Sequence, residues 1–134
     1  MTATDRPRIA VLGSVNMDLV TTVERLPAPG ETVMGKGFST IPGGKGANQA
    51  IAAARAGGEV DFIGAVGSDD FAATLRRTLA DAGIATARLR AVDGPSGIAA
   101  ISVDDTAENS IIVVAGANGA LTDVDDADLA TIRT

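Results

Sequence analysis

The chain has 134 residues, 46% of them hydrophobic and 21% charged, with a formal net charge of −6; that is one domain's length and a globular composition. It has no Cys and no His, which excludes a disulfide framework, a thiolate nucleophile, a Ser-His-Asp triad and the usual zinc sites. It has no Trp or Tyr and 3 Phe, so stacking platforms for single-stranded nucleic acid are missing, and the negative charge opposes nucleic acid and anionic membrane alike.

No apolar run approaches the roughly 20 residues of a membrane-spanning helix. The opening residues lead straight into the short apolar run Ile9–Leu12, too short for a signal peptide. The expectation is a cytoplasmic protein that starts at its native N-terminus. Ile9–Leu12 predicts a buried strand of a parallel sheet. Gly13 to Asp18 predicts a loop at its C-terminal end. Leu19 to Val23, rich in Val and Thr, predicts a strand. Leu26-Pro27-Ala28-Pro29-Gly30 predicts a turn, Glu31 to Met34 another strand, and a Gly-rich stretch runs on to Gly44.

A helix is predicted from Gly44 to Ala56, stopped by Gly57 and Gly58. Its stripe of Ala47, Ala50, Ile51 and Ala54 suits close packing on a sheet. Val60 to Ile63 predicts the next strand, with Gly64 and Gly67 bracketing its exit. Ser68-Asp69-Asp70 opens a helix with Phe71, Leu75, Leu79 and Ala82 as its apolar stripe, ending at Gly83. Arg88 to Val92 predicts a strand. After the turn Gly94–Gly97, Ile98–Val103 and Ser110–Val114 predict a hairpin around the polar loop Asp104–Asn109. Thr122 opens a last helix through Leu129 and Ile132. Alternating βα units predict an α/β sheet with helices on its faces. The two additional strand pairs interrupt that alternation and are expected to leave the main sheet as a small lid.

Pro42-Gly43-Gly44-Lys45-Gly46-Ala47-Asn48 is the strongest local feature. Free N–H groups at a helix start attract phosphate or sugar oxygens; the same glycines also serve a tight turn and helix-to-sheet packing. The stretch is not a Walker A loop, because Gly46 follows the lysine and Ser39 stands where the first glycine belongs. Gly13-Ser14-Val15-Asn16-Met17-Asp18 is not a dinucleotide fingerprint. Asn16 and Asp18 lie where α/β sheets bind ligands, and an amide with a carboxylate can grip vicinal hydroxyls. Taken alone, the pair reads better as an Asx-turn; with Lys45 and Asn48 on a neighbouring loop, it becomes a polyol site. Asp69-Asp70 reads as a helix cap, Asp123, Asp125, Asp126 and Asp128 as a solvated helix start rather than a metal site, and Arg76-Arg77 as exposed helix surface.

Together these residues resemble the ribokinase family of carbohydrate kinases, also called the PfkB family. The family's N-terminal signature is met by Gly43, Gly44, Gly46, Asn48, Ala50, Gly57 and Gly67. The Gly-Gly-Lys-Gly form, with Pro29-Gly30-Glu31-Thr32 and Ala115-Gly116-Ala117-Asn118, is that of the members acting on ribose. The resemblance implies an α/β ribokinase-like sheet sandwiched by helices, with a small β lid, truncated after its N-terminal half. Residues 1–134 would be the sugar-binding half, with lid segments at about 19–34 and 98–114 and the ATP-binding half beyond.

The implied sugar-binding set is Asn16, Met17, Asp18, Gly44, Lys45, Gly46, Ala47, Asn48, Ala99 and Ile101, the last two as apolar contacts. The implied reaction moves the ATP γ-phosphate to the 5-hydroxyl of D-ribose, with Mg²⁺ and a monovalent cation, expected to be K⁺, in the complete enzyme. No residue here is assigned as catalytic base or metal ligand, because the family carries those in its C-terminal half. The chain alone is therefore expected to be inactive, and a homodimer through the lid strands is expected. Another sugar or a nucleoside as substrate, or a non-catalytic sugar-binding or dimerisation module, stand as alternatives.

Overall fold

The computed structural model describes residues 5–133. The reading of a native N-terminus falls on residues 1–4, outside the described residues, as does Thr134. Among the described residues, no helix is long and apolar enough to cross a membrane.

A parallel three-stranded sheet forms one layer. Its order is β1 (Arg8–Leu12), β4 (Glu59–Val66), β5 (Leu89–Ala91), with Arg8 opposite Glu59 and Gly64 opposite Leu89. β4 is central and apolar along most of its length, as a strand covered on both faces must be. Val60, Phe62 and Val66 enter the main core, and the alternating Ile63 and Ala65 are equally buried on the other side. β4 runs beyond the expected exit at Gly64 because Gly64, Ala65 and Val66 find partners on β5.

The helices α1 (Lys45–Arg55) and α2 (Asp70–Asp81) cover the core face. Ala47 and Ala50 of α1 and Leu75 and Leu79 of α2 are buried there with Val15 and Met17. α1 ends as expected, with Gly57 at φ +99°, a conformation that glycine takes at little cost. Asp69 caps α2 by accepting from the Ala72 N–H at 3.1 Å. Arg76 is not the expected free surface residue: it donates to the Thr86 and Leu89 carbonyls at 3.3 and 2.9 Å, tying α2 to the chain entering β5.

The second layer is a four-stranded sheet in the order β3 (Gly35–Gly43), β2 (Asn16–Val23), β6 (Gly97–Val103), β7 (Asn109–Val114). The interrupting strand pairs thus leave the main sheet, but they join each other in one sheet through the parallel β2–β6 pairing. Two expectations are corrected here. Asn16 to Asp18 are strand rather than loop, because Gly43–Ile41 and Gly97–Ala99 pair with them on both sides. Glu31–Met34 is not a strand; the partner of β2 is the Gly-rich segment after it. Ladder hydrogen bonding there outweighs the poor strand propensity of glycine. The turn before it is real, held by the Glu31 N–H on the Ala28 carbonyl and by the Arg25–Glu31 ion pair.

The β6–β7 hairpin forms around Asp104, whose carboxylate accepts from the Thr106 and Glu108 N–H groups. A short helix, α3 (Ala117–Ala120), follows β7, and α4 (Asp126–Arg133) begins later than the expected Thr122. The acidic cluster at that start is not simply solvated. Asp128 is fully buried and pairs with Arg88 (2.8 Å) and Arg90, while Asp125 pairs with Arg88 at 2.7 Å. Burial pushes the Asp128 carboxyl up, but the Asp125 backbone N–H and the two guanidiniums outweigh it and hold its pKa at about 2.

Candidate functional site

Among the described residues, the chain passes between the two sheets at one end only. Gly43, Asn16 and Gly97 stand side by side across β3, β2 and β6 at that end. A seam of polar contacts fixes it. The buried Ser96 hydroxyl accepts from the Gly67 N–H at 2.9 Å and donates to Asp69 at 2.7 Å, and the Ser96 N–H donates to the same carboxylate at 2.8 Å. Burial opposes ionisation of Asp69, but the Ser96 hydroxyl and N–H and the Ala72 N–H outweigh it and hold the carboxyl below its ordinary range. The helix cap expected at Asp69 is therefore also an anchor for the start of β6.

Along the seam lies a cleft of about 490 Å³. Asn16 and Asp18 enter it from β2, Gly44 from the start of α1, Lys45 and Asn48 from α1, and Ala99 and Ile101 from β6. Strand alternation explains the choice: Asn16 and Asp18 share one face of β2, and Ala99 pairs beside Asp18 on that face. Met17, between them, points the other way into the core and is 2% exposed. Ala47 is likewise buried in the core cluster. Gly46 lies against the backbone of Gly13 and Ser14, where a Cβ would come within 2.7 Å of the Ser14 nitrogen. These three sit behind the cleft; the other seven of the sequence-derived set line it.

Gly44 is the residue the corner requires. Its φ is +96°, and a Cβ there would lie 2.9 Å from the Val15 Cα. Its bare backbone turns β3 into α1 tightly enough to bring Lys45 and Asn48 beside Asn16. Partial burial raises the Asp18 carboxyl above its ordinary pKa. The Asp18 carboxylate accepts no hydrogen bond among the described residues, so its oxygens are available as acceptors. The cleft thus gathers an ammonium, three carboxamides and a carboxylate at its closed end, with Ala99, Ile101, Ile111 and Val113 continuing the same sheet face outward. Polar groups of both kinds next to an apolar surface suit a small polyol, which carries hydroxyls and C–H surface together.

Sequence reasoning left Asn118 out of the site. Asn118 lines the cleft from α3 and bonds to Val15 and Asn16. Its signal was present as the end of Ala115-Gly116-Ala117-Asn118. Among the described residues, no group of three or more acidic side chains is placed to hold a metal ion.

A family model described as pfkB family carbohydrate kinase matches residues 6–132. The chain belongs to the pfkB family of carbohydrate kinases. It is 42% identical over 120 residues to the ribokinase of Haemophilus influenzae, covering 89% of this chain and 39% of that protein. It is 45% identical over 114 residues to the ribokinase of Bacillus subtilis, covering 85% of this chain and 39% of that one. Among solved structures, the Arabidopsis thaliana ribokinase complexed with ribose and ATP matches with a TM-score of 0.85 at 37% identity, covering 96% of this chain and 43% of that chain. The fold is accordingly ribokinase-like, and the chain spans about two fifths of the relatives it matches.

Proposed function

We propose that this chain is the sugar-binding part of a cytoplasmic, ATP-dependent kinase that phosphorylates D-ribose at its 5-hydroxyl. The carrying observation is the convergence of Asn16, Asp18, Lys45 and Asn48 on one cleft walled by Ala99 and Ile101, in a chain whose similar relatives are ribokinases. Asp18 accepts from hydroxyls, Asn16 and Asn48 donate and accept, and Lys45 donates. Ala99 and Ile101 cover the C–H face of the ring. ATP, with Mg²⁺ and K⁺, supplies the transferable phosphoryl group and its charge compensation when bound by the rest of the polypeptide. The part played by these 134 residues is to hold and orient the sugar, so the chain alone binds ribose without turning over.

The test is a pair of assays. Full-length protein with ATP is expected to form ADP only when ribose is added, and the 134-residue chain is expected to bind ribose calorimetrically while forming none. A panel in which another pentose or a nucleoside outcompetes ribose would move the substrate. Turnover by the short chain would overturn the division of labour.

A specific observation supports pairing with a second copy. β7 is an outer strand, and its residues Ile111 to Val114 are 46–67% exposed in one uninterrupted apolar run. Such an edge associates unless covered. A homodimer through these lid strands is the expected state, and light scattering of the full-length protein checks it.

A further inference from the structure

Asn118 decides which way the Asn16 carboxamide faces. The Asn118 Oδ1 accepts from the Val15 N–H at 3.0 Å, and its Nδ2 donates to the Val15 carbonyl at 3.2 Å. A backbone N–H can only donate and a backbone carbonyl can only accept. The polarity of the Asn118 amide is therefore set by groups that cannot reverse. Its Nδ2 also donates to the Asn16 Oδ1 at 2.7 Å. That contact assigns the Asn16 oxygen to Asn118 and leaves the Asn16 Nδ2 for the cleft, where it makes no hydrogen bond among the described residues.

Gly97 supplies a second, independent observation. It stands beside Asn16 in the β2–β6 ladder. A Cβ on it would run into the Asn118 Nδ2 and lie 2.5 Å from the Asn16 Oδ1. The two amides meet only because this position has no side chain.

We propose that Asn118 is a positioning residue that turns the Asn16 amide so that its NH₂ group, not its oxygen, faces the ligand. The cleft then presents a donor at Asn16 and, two residues along the same strand face, an acceptor at Asp18. About 6.6 Å of strand separates their backbones. This pattern selects a polyol with one hydroxyl accepting from Asn16 while a neighbouring hydroxyl donates to Asp18. The proposal rests on the polyol reading of the cleft and adds the polarity with which the cleft reads its ligand.

In Asn118→Asp, the carboxylate still accepts from the Val15 N–H but cannot donate to Asn16. The Asn16 amide must then turn its NH₂ toward the introduced carboxylate and show its oxygen to the cleft beside Asp18, acceptor next to acceptor. Ribose affinity of the full-length protein is expected to fall about tenfold. Gly97→Ala, which separates the two amides, is expected to lower it similarly. Unchanged ribose affinity in both folded variants would overturn the proposal.

Side-chain amide proton exchange in the unsubstituted protein, read by nitrogen-15 NMR, needs neither variant to fold. The Asn118 amide protons are expected to be protected and those of Asn16 to exchange freely until ribose is added. The reverse pattern would overturn the assignment. If the unsubstituted protein binds no ribose, the polyol reading fails, and amide exchange without ligand still decides whether Asn118 orients Asn16.

Discussion

β4 buries Val60, Phe62, Ile63, Ala65 and Val66 at 2% exposure or less, whereas β7 leaves Ile111, Ile112, Val113 and Val114 at 46–67%. Both strands are largely apolar, and every residue of each has a ladder partner on at least one edge. They differ in what lies on their faces. β4 has a neighbouring strand on each side, α1 and α2 over one face, and α3 against it as well. β7 has a single neighbour, β6. The parallel layer completes its core from its own chain. The four-stranded layer carries half the cleft and keeps its apolar surface open for whatever closes on it.

That contrast can be broken by substitution. Phe62→Ala should cost about 3–5 kcal/mol, the loss expected when a large buried side chain leaves a cavity, and should show as a large drop in the denaturation midpoint. Asp128→Asn should cost about 3 kcal/mol, since it leaves Arg88 and Arg90 without their buried partner. The sign with pH follows from its lowered folded pKa. The Asp128 contribution is complete above the ordinary carboxylate range and is lost as pH falls toward about 2. Acid unfolding of the unsubstituted chain and of Asp128→Asn should therefore converge at low pH.

On the cleft side, Asp18→Asn should weaken ribose binding about tenfold or more while leaving the melting temperature level or slightly higher. Burial raises the folded pKa of Asp18, so its proton stabilises the fold below the ordinary carboxylate range, and that contribution fades as pH rises through the raised value. Ribose affinity should follow the opposite course, falling on acidification as the acceptor is protonated. The smallest effect belongs to β7. Ile112→Thr should change stability by no more than about 0.5 kcal/mol, yet reduce self-association measured by light scattering.

The elements legible in the sequence were those with local punctuation. α1 lies between Gly44 and Gly57, α2 begins at an aspartate cap, and the β6–β7 hairpin encloses a polar turn. β3 was hidden because its glycines argue against a strand, and only the partner strand β2 makes it one. The role of Asp128 was hidden because Arg88 and Arg90 lie far earlier in the chain, a separation that leaves no local pattern. Asn16, Asp18, Gly44, Lys45 and Asn48 were legible from their residue chemistry and their glycine-rich setting, whereas Ala99 and Ile101 came only with the family resemblance. Asn118 escaped because its partners, Val15 and Asn16, lie far earlier in the chain, so no local pattern ties it to the cleft.

The seam at Gly43, Asn16 and Gly97 has a mechanical consequence. Because every passage of the described chain between the layers falls at that end, a rigid rotation of the four-stranded sheet would pivot there. Asn16 sits on the pivot, and Ile101 stands four residues along β6, about 13 Å away. A rotation of roughly 10° carries Ile101 through about 2 Å and leaves Asn16 nearly still. Asn16, at the pivot, and Lys45 and Asn48, on α1, would then stay in place, while Asp18 moves with its neighbour Ala99 and Ile101 moves farther.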